Sequence, residues 1–288
     1  MKTCGEQSHT QYMAYAVAVC VFALFAFEAA QAAYVDVVDT LNPLGYWRLG
    51  ESSGTTATDR AGSYSGTYNG GVTLGTTGAI GGDSDTAATF DGSNDMIIDI
   101  GPSADLLLTA DLSVSFCVKV IAFATSSTTP DALFTLIADA PGTGTTKLAE
   151  LAVDKNGDIV YTHQYGTNGG SEQTHIFSTA NLSLDGTWYS IALIRDSSAQ
   201  EVDLYIEGSL LDTYSYTNQP DGRTEGEMSI GGSSGTKFEG ALDEFAIFNS
   251  QLTGQNVTDI YNAAQVPEPA TLCLLALGGM VLLGRKRK

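Results

Sequence analysis

Positively charged residues are scarce in this sequence. Its 288 residues include 13 Lys and Arg against 33 Asp and Glu, which gives a formal net charge of −20. Proteins that bind nucleic acid need a Lys- and Arg-rich surface to meet the phosphates. The same imbalance argues against electrostatic docking on anionic lipid. The composition therefore argues against nucleic acid as a partner and indicates an acidic, well-solvated protein surface.

Cysteine and histidine are also rare. Three of the four cysteines lie in the terminal segments, so Cys117 alone remains in the central part of the chain and no disulfide can form there. We expect Cys117 to be an inert strand residue, because no His or Asn partner is evident for a thiolate nucleophile. His163 and His175 match no zinc-binding spacing and are expected on strand surfaces.

Long apolar runs occur only near the two ends. The first covers 13–27 and has the length of the hydrophobic region of a secretory signal. Ala30 and Ala32 supply the small residues that signal peptidase needs, so we place cleavage after Ala32 and assign 1–32 as a signal peptide. The alternative is an uncleaved N-terminal anchor.

The second apolar run covers 270–284. As a helix it would rise about 22 Å, which is short of the roughly 30 Å hydrocarbon core. Flanking basic side chains can make up part of that gap, so we predict a transmembrane helix at about 270–284. The run lies between the triplet Pro267, Glu268 and Pro269 and the terminal cluster Arg285, Lys286, Arg287 and Lys288. The basic cluster should stay on the cytoplasmic side.

This three-part segment, 266–288, resembles the PEP-CTERM sorting signal of Gram-negative bacteria. The resemblance implies a precursor held in the inner membrane at least transiently and cut near the triplet by an exosortase-type processing enzyme. The freed protein would then reach the cell surface or the extracellular matrix, where exopolysaccharide or a surface protein could be its ligand. A plain C-terminal membrane anchor is the alternative.

The central part, 33–265, has the pattern of an all-β domain. Apolar and polar residues alternate over 112–120, as in a half-buried strand. The segment 154–158 reads as a hairpin turn, and Thr253 is the expected N-cap of one helix over 254–264. Many short strands separated by Gly, Asn and Asp predict a sandwich or jelly roll in a single domain.

Several of these segments resemble LamG-like domains. The segments that carry the resemblance are Tyr46-Trp47-Arg48-Leu49, Asp59-Arg60-Ala61-Gly62, Trp188 to Arg195, Leu204 to Gly208, and Phe238 to Glu244. The resemblance implies a concanavalin A-like fold, namely an all-β, two-sheet antiparallel jelly-roll sandwich with one concave sheet. We add to it the short C-terminal helix and one apolar helix at each end of the precursor.

The resemblance also suggests a structural calcium ion. In LamG-like domains the Asp before the last strand's Glu often faces the early loop, which implies Asp59, Gly62 and Asp243 as ligands. Calcium takes six to eight oxygen atoms from carboxylates, carbonyls and water. Glu244 is expected to alternate outward, away from the site. The alternative is that Asp59 caps a turn and Asp243 makes a structural hydrogen bond.

Catalytic patterns are missing. Retaining glycosidases need two carboxylates about 5–5.5 Å apart, and related jelly-roll glucanases place them on an E-x-D-x-E strand. The nearest analogue here is Glu225-Gly226-Glu227, which lacks a third carboxylate. We therefore predict a protein that is not an enzyme, with a divergent glycan-active enzyme as a distant alternative.

Aromatic residues provide the remaining hint of a ligand. Tyr161, His163 and Tyr165 alternate along one predicted strand, as do Tyr214 and Tyr216, and sugars stack on aromatic faces. The alternative is that tyrosine simply favours strands. We predict an exported, non-catalytic carbohydrate- or matrix-binding module, with a protein-binding adhesion or structural surface component as the alternative.

Overall fold

The structure is a computed structural model that describes residues 34–93, 98–123, 129–139, 145–166, 170–222, 224–233 and 236–265. The predicted signal peptide, its cleavage site and the sorting segment lie outside the described residues. Within the described part of the chain, no helix combines the length and the apolar character that a membrane crossing requires.

The first of two antiparallel sheets has eight strands. These are β1 (Gly45–Trp47), β4 (Thr73–Thr77), β5 (Thr86–Asp91), β7 (Leu112–Ala122), β12 (Tyr189–Asp196), β13 (Glu201–Ile206), β14 (Ser209–Ser215) and β18 (Glu239–Phe248). Their spatial order is β14-β13-β12-β7-β18-β5-β4, and β1 pairs with β18.

The second sheet also has eight strands. These are β2 (Thr56–Ala57), β3 (Gly66–Tyr68), β6 (Ile98–Ser103), β8 (Asp131–Asp139), β9 (Thr145–Val153), β10 (Ile159–Tyr165), β11 (Ser171–Phe177) and β15 (Gly226–Ile230). Their order is β11-β10-β9-β8-β15-β6-β3-β2, and β16 (Gly232–Ser233) pairs with β17 (Thr236–Lys237) as a separate hairpin. The predicted two-sheet antiparallel sandwich is confirmed.

The main core fills the space between the sheets. Phe245 lies at its centre, with its ring 6.2 Å from Trp47, 5.3 Å from Phe116 and 5.7 Å from Phe134. Phe116 and Phe245 come from the first sheet, whereas Phe134 comes from the second. Every second residue of these strands faces inward, and the inward residues of the two sheets meet in one apolar layer, as in other sandwiches.

A second core covers the outer face of the first sheet. Residues 34–40 are helical, and the helix Gly254–Ala264 returns to the same face. Tyr34, Val38, Val257 and Ile260 are buried there in one cluster with strand residues such as Cys117. Both described α-helices therefore pack on the first sheet.

This cover corrects the prediction that the strand at 112–120 is half-buried. The alternate residues Ser113 and Ser115 are 0% and 3% exposed, so both faces of β7 are buried. The Ser113 hydroxyl donates to the Ser250 carbonyl at 2.8 Å and accepts from the Leu252 amide at 2.9 Å. Small polar residues suit this face because the helices approach it closely and supply hydrogen-bond partners.

The predicted C-terminal helix is confirmed. Thr253 is its N-cap and forms a reciprocal capping box with Asn256, which satisfies two amide groups at the helix start. The helix at 34–40 was not predicted.

Truncating the buried face of the C-terminal helix should destabilise the whole fold. Ile260 is 1% exposed, so we expect Ile260→Ala to lower the free energy of unfolding by about 2–5 kcal/mol. Asn262→Ala, on the exposed side of the same helix, should change it by less than about 0.5 kcal/mol. Urea unfolding followed by tryptophan fluorescence measures both, and equal losses would contradict the docking of this helix.

Candidate functional site

A buried charged cluster forms where the first strand meets the last one. β1 pairs antiparallel with β18, which places Tyr46 opposite Ala246. Arg48 follows β1 and donates through Nε and Nη2 to Glu244 Oε1, at 3.0 and 2.7 Å. The Tyr46 hydroxyl donates to the other carboxylate oxygen, Oε2. Both oxygens of Glu244 therefore bind residues from the start of the domain.

The segment before β5 brings further carboxylates to Arg48. Arg48 Nη2 lies 2.6 Å from Asp83 Oδ2 and 2.9 Å from Asp85 Oδ2. Asp243 reaches the same segment, where its Oδ2 accepts the Ala79 amide at 2.7 Å. Four carboxyl groups thus share the surroundings of one guanidinium group.

Burial and mutual repulsion oppose ionisation of the carboxyl groups in this cluster. Desolvation raises the pKa of Glu244 to about 7, although Arg48 and Tyr46 act in the opposite direction. Desolvation, followed by the negative charge of Glu244, raises the pKa of Asp243 well above its ordinary value. Burial also raises the pKa of Asp85. A proton shared within the cluster lowers the cost of burying so many acids beside one cation.

The expectation that the side chain of Glu244 points outward was wrong, because this residue is 1% exposed. Its φ of 53° breaks the extended conformation, and the pairing of β18 with β7 shifts register between Asp243 and Ala246. At such a bulge the alternation of the two faces fails locally. Asp243 and Glu244, although consecutive, are therefore both buried in the same cluster.

Asp59 organises the early loop through backbone amides. Its Oδ1 accepts the amides of Tyr46 and Ala61, both at 2.9 Å. Its Oδ2 accepts the amides of Gly62 at 3.1 Å and Tyr64 at 2.9 Å. An ionised carboxylate offers about four acceptor sites, so these bonds occupy them all. The contacts fit the turn-capping role of Asp59.

The side-chain oxygens of the predicted calcium ligands Asp59 and Asp243 already accept backbone amides. The two oxygens of Asp243 accept the amides of Glu244 and Ala79, and the contact of Gly62 with Asp59 is made by its amide and not by the carbonyl oxygen that was expected to bind calcium. In the described part of the chain, no group of three or more His, Cys, Asp or Glu side chains is arranged to hold a metal. These contacts do not fit a calcium cage. Calcium binding by Asp59, Gly62 and Asp243 is not tested by a structure without ligands and stays a prediction.

A second candidate site is a line of polar residues across the outer face of the second sheet, which we call the polar row. The strand register places one residue from each of the eight strands side by side: Thr174, Thr162, Glu150, Thr135, Ser229, Asp99, Thr67 and Thr56. The residues that precede members of the row in sequence, such as Phe134, Tyr161 and Met228, point into the core. The polar row therefore lies on the face opposite the core.

The polar row is deepest at its centre. Thr162, Glu150 and Thr135 are 5%, 8% and 3% exposed, whereas Thr174 and Thr67 near its ends are exposed. Glu150 accepts Thr135 Oγ1 at 3.2 Å and Lys147 Nζ at 2.7 Å. Sequence reasoning missed this row because it depends on pairing between strands that are far apart in the chain.

The aromatic candidates lie mainly inside the protein. Tyr161 and His163 are 0% exposed and Tyr216 is 3% exposed, so the expectation of a surface His163 was wrong. His163 lies between the two tyrosine rings and bonds through Nε2 to the Asn218 carbonyl at 2.8 Å. Burial lowers its pKa to about 4 and keeps it neutral. Tyr214 is partly exposed and stacks on His175 at 4.4 Å.

The other reactive candidates are placed as follows. Cys117 lies in β7, as the expected strand residue, but on the face that the helices cover, so it is buried and desolvation raises the pKa of its thiol well above the ordinary value. Glu225 is exposed just before β15, and Glu227 lies on the outer face of that strand beside Ser229. Gly226 between them faces the interior.

The two ends of the described chain lie on the side opposite the polar row. The helix at 34–40 and the helix Gly254–Ala264 both pack on the first sheet, whereas the polar row is on the second. The sorting segment follows directly after Gln265. The described chain therefore ends on the helix-covered side.

Two sequence profiles match this chain. That of the concanavalin A-like lectin/glucanases superfamily matches 93–258, and that of the PEP-CTERM protein-sorting motif matches 265–288. Both resemblances drawn from the sequence are confirmed. In sequence, no curated protein matches the chain.

Solved structures with a similar fold include a sialidase and toxin binding domains. Trypanosoma rangeli sialidase in complex with sialic acid is 15% identical, with a TM-score of 0.57 over 78% of this chain and 33% of that chain. The binding domain of Paraclostridial Mosquitocidal Protein 1 is 15% identical, with a TM-score of 0.57 over 79% and 53%. The receptor binding domain of botulinum neurotoxin type G is 17% identical, with a TM-score of 0.51 over 77% and 51%. The alignments thus span about a third of the sialidase and half of each toxin domain, and at these identities they show the fold alone.

The charged cluster predicts an unusual dependence of stability on pH. A carboxyl group whose pKa is raised to about 7 in the folded protein binds its proton more tightly there than in the unfolded chain. Stability from this group is present below the unfolded pKa of about 4.3 and is lost as pH rises towards 7. Glu244→Gln should flatten this part of the stability curve, as measured by urea unfolding from pH 4 to pH 8. Asp36→Asn, at an exposed helix position, is the control, and an unchanged slope in Glu244→Gln would contradict the assignment.

Asp59→Ala separates turn capping from calcium binding. Loss of four amide contacts should lower the free energy of unfolding by about 2–4 kcal/mol. If capping is the whole role, the loss is equal in calcium and in chelator, and this is the result we expect from the contacts. A calcium-dependent gain in the unmodified protein, about 2.7 kcal/mol at 100 times Kd, that disappears in the variant would instead establish the calcium site.

Proposed function

This chain belongs to the concanavalin A-like lectin/glucanases superfamily, and from that premise we propose that it is an exported, non-catalytic glycan-binding protein. The PEP-CTERM motif at 265–288 supports an exported surface protein made as a membrane-anchored precursor and processed by an exosortase. We propose the cell surface or extracellular matrix of a Gram-negative bacterium as its destination.

The polar row is the observation that carries the glycan-binding proposal. A sugar presents hydroxyl groups that both donate and accept hydrogen bonds, and Thr and Ser hydroxyls do the same. The row has six such residues across one sheet, of which Thr174, Thr67 and Thr56 are exposed and Ser229 is partly exposed, and a buried carboxylate, Glu150, lies between the two buried threonines. With strands about 4.8 Å apart, eight strands span about 34 Å. That length suits a polymer of several sugar units better than a single sugar.

The position of the chain ends supports the same proposal. While the precursor is anchored by its C-terminal segment, the helix-covered first sheet lies on the side from which the anchor departs. The second sheet then faces away from that side. An extended ligand such as a matrix polysaccharide could reach the polar row without passing the anchor.

The structural neighbours agree with a binding role. One is the receptor binding domain of botulinum neurotoxin type G and another is the binding domain of Paraclostridial Mosquitocidal Protein 1, whereas a third, a sialidase solved with sialic acid, is an enzyme. A protein ligand is the second candidate, favoured by Ile176, which is 51% exposed on the same outer face as Thr174.

Removing hydroxyl groups from the exposed part of the row should weaken glycan binding. Each lost neutral hydrogen bond is worth about 0.5–1.5 kcal/mol, so Thr67→Leu combined with Thr174→Leu should reduce affinity about tenfold. Thr40→Leu with Thr213→Leu is the matched control away from the row. A polysaccharide array probed with the full-length chain in mild detergent measures the effect.

Two results would count against this proposal. Silence on every polysaccharide from a folded sample would favour the protein-binding alternative. Equal losses in the two double variants would show that the polar row is not the binding surface.

A further inference from the structure

A histidine and an aspartate face each other on the side of the sandwich where β11 and β14 end the two sheets. We propose that His175 and Asp212 bind a divalent transition-metal ion such as Zn²⁺ between the two sheets. This site is separate from the polar row and from the predicted calcium ligands, so the inference does not rest on either of them.

Both residues lie on the last strand of their sheet. In the described part of the chain β11 pairs with β10 alone and β14 with β13 alone, so no backbone hydrogen bonds join these two edges. His175 lies opposite Tyr161 and Asp212 lies opposite Leu204, and both of these partners belong to the main core. Directly opposite residues share one face of a sheet. The two side chains therefore extend from different sheets into the gap between them.

The facing atoms lack a direct bond. His175 Nε2 lies 3.7 Å from Asp212 Oδ2, which is too far for a hydrogen bond. Nε2 is itself buried and has no hydrogen-bond partner among the described residues. Asp212 Oδ1 accepts the Thr213 amide at 2.8 Å, so Oδ2 is the oxygen that faces the ring. Buried polar atoms are normally hydrogen-bonded, so an unpartnered nitrogen beside a carboxylate points to a bound group.

The separation of the two atoms suits a zinc ion. Zinc binds histidine nitrogen at about 2.0–2.1 Å and carboxylate oxygen at about 2.0–2.2 Å. With both bonds near 2.1 Å, ligand atoms 3.7 Å apart subtend an angle of about 120° at the metal, which is near the tetrahedral value. The two side chains are 28% and 50% exposed, so an ion and its remaining water ligands can enter from solvent. A nitrogen ligand favours Zn²⁺ over Ca²⁺ and Mg²⁺, which prefer oxygen.

Two aromatic rings hold the imidazole of His175. Tyr214 stacks on it with ring centroids 4.4 Å apart and an angle of 10° between the planes. Phe177 packs against it at 4.6 Å and 81°. Contacts of this kind orient a ligating histidine before the metal arrives, and a fixed ring loses less entropy on binding. The sequence has no zinc-binding spacing around His175, because the second ligand comes from the other sheet.

The first test is a titration of the full-length chain with Zn²⁺ in mild detergent at pH 7.5. We expect zinc at ten times its Kd to raise the melting temperature by about 3–6 °C. In nitrogen NMR spectra the ring signals of His175 should move with Zn²⁺ and stay in place with Mg²⁺. The signals of His163 should not move, because both of its ring nitrogens already have partners.

Single substitutions locate the site. Loss of an outer-shell partner of a metal ligand typically costs about 10–100-fold in affinity, so His175→Ala and Asp212→Asn should each weaken zinc binding at least about tenfold. His9→Ala, at the third histidine of the chain, and Asp36→Asn, on the exposed side of the helix at 34–40, are the controls and should leave it unchanged. Calorimetric titration measures all four variants. Asp212 is half exposed, so Asp212→Asn tests the site even if His175→Ala disturbs the aromatic stack.

Two results would overturn the inference. Zinc that changes neither the melting temperature nor the His175 signals of a folded sample would show that the gap holds no metal. Zinc binding that survives both Asp212→Asn and His175→Ala, or that is lost in His9→Ala, would place the ion elsewhere in the chain. Neither result bears on glycan binding, which is measured on the other face of the second sheet.

Discussion

The bond between Arg48 and Glu244 joins residues 196 positions apart and holds the beginning of the fold to its end. Several other features depend on it. β1 can pair with β18 only if this charged group is accommodated, and Asp59 reaches the amide of Tyr46 only while β1 is in place. Removing one partner of a buried ion pair leaves an uncompensated charge and costs several kcal/mol. The cluster therefore has a structural role, because it joins the first strand of the sandwich to the last one.

The two sheets differ in what covers their outer faces. The central strands of the first sheet are buried on both faces, because the helices at both ends of the described chain pack against them, whereas the edge strands β14 and β4 are exposed. An antiparallel sheet can otherwise face water on one side, and the second sheet does so at the two ends of the polar row, whereas Thr162, Glu150 and Thr135 between them are buried. A binding surface on the central strands of the first sheet would require displacement of residues such as Tyr34 and Ile260 from their apolar cluster. The exposed ends of the polar row need no such rearrangement, which is why the function is proposed there.

The sequence predicted features that local patterns determine. The capping residue Thr253, the hairpin at 154–158 and the inward alternation around Phe116 all depend on neighbours in the chain. Glu244 could not be predicted to point inward, because its orientation follows from a bulge against a distant strand. His163 was expected outside for lack of any sign that the Asn218 carbonyl would meet it. The polar row was beyond sequence reasoning because it requires the register of eight strands at once.

The contacts of Glu150 also bear on whether this face binds or reacts. A general acid in a glycosidase needs a carboxyl oxygen directed at the leaving group and a pKa tuned by its surroundings. Glu150 already accepts Lys147 at one oxygen and Thr135 at the other. Both bonds tie the buried carboxylate to its own sheet, and neither oxygen is left without a hydrogen-bond partner. A carboxylate held in this way has no oxygen directed at a leaving group, which is why Glu150 is not proposed as a general acid.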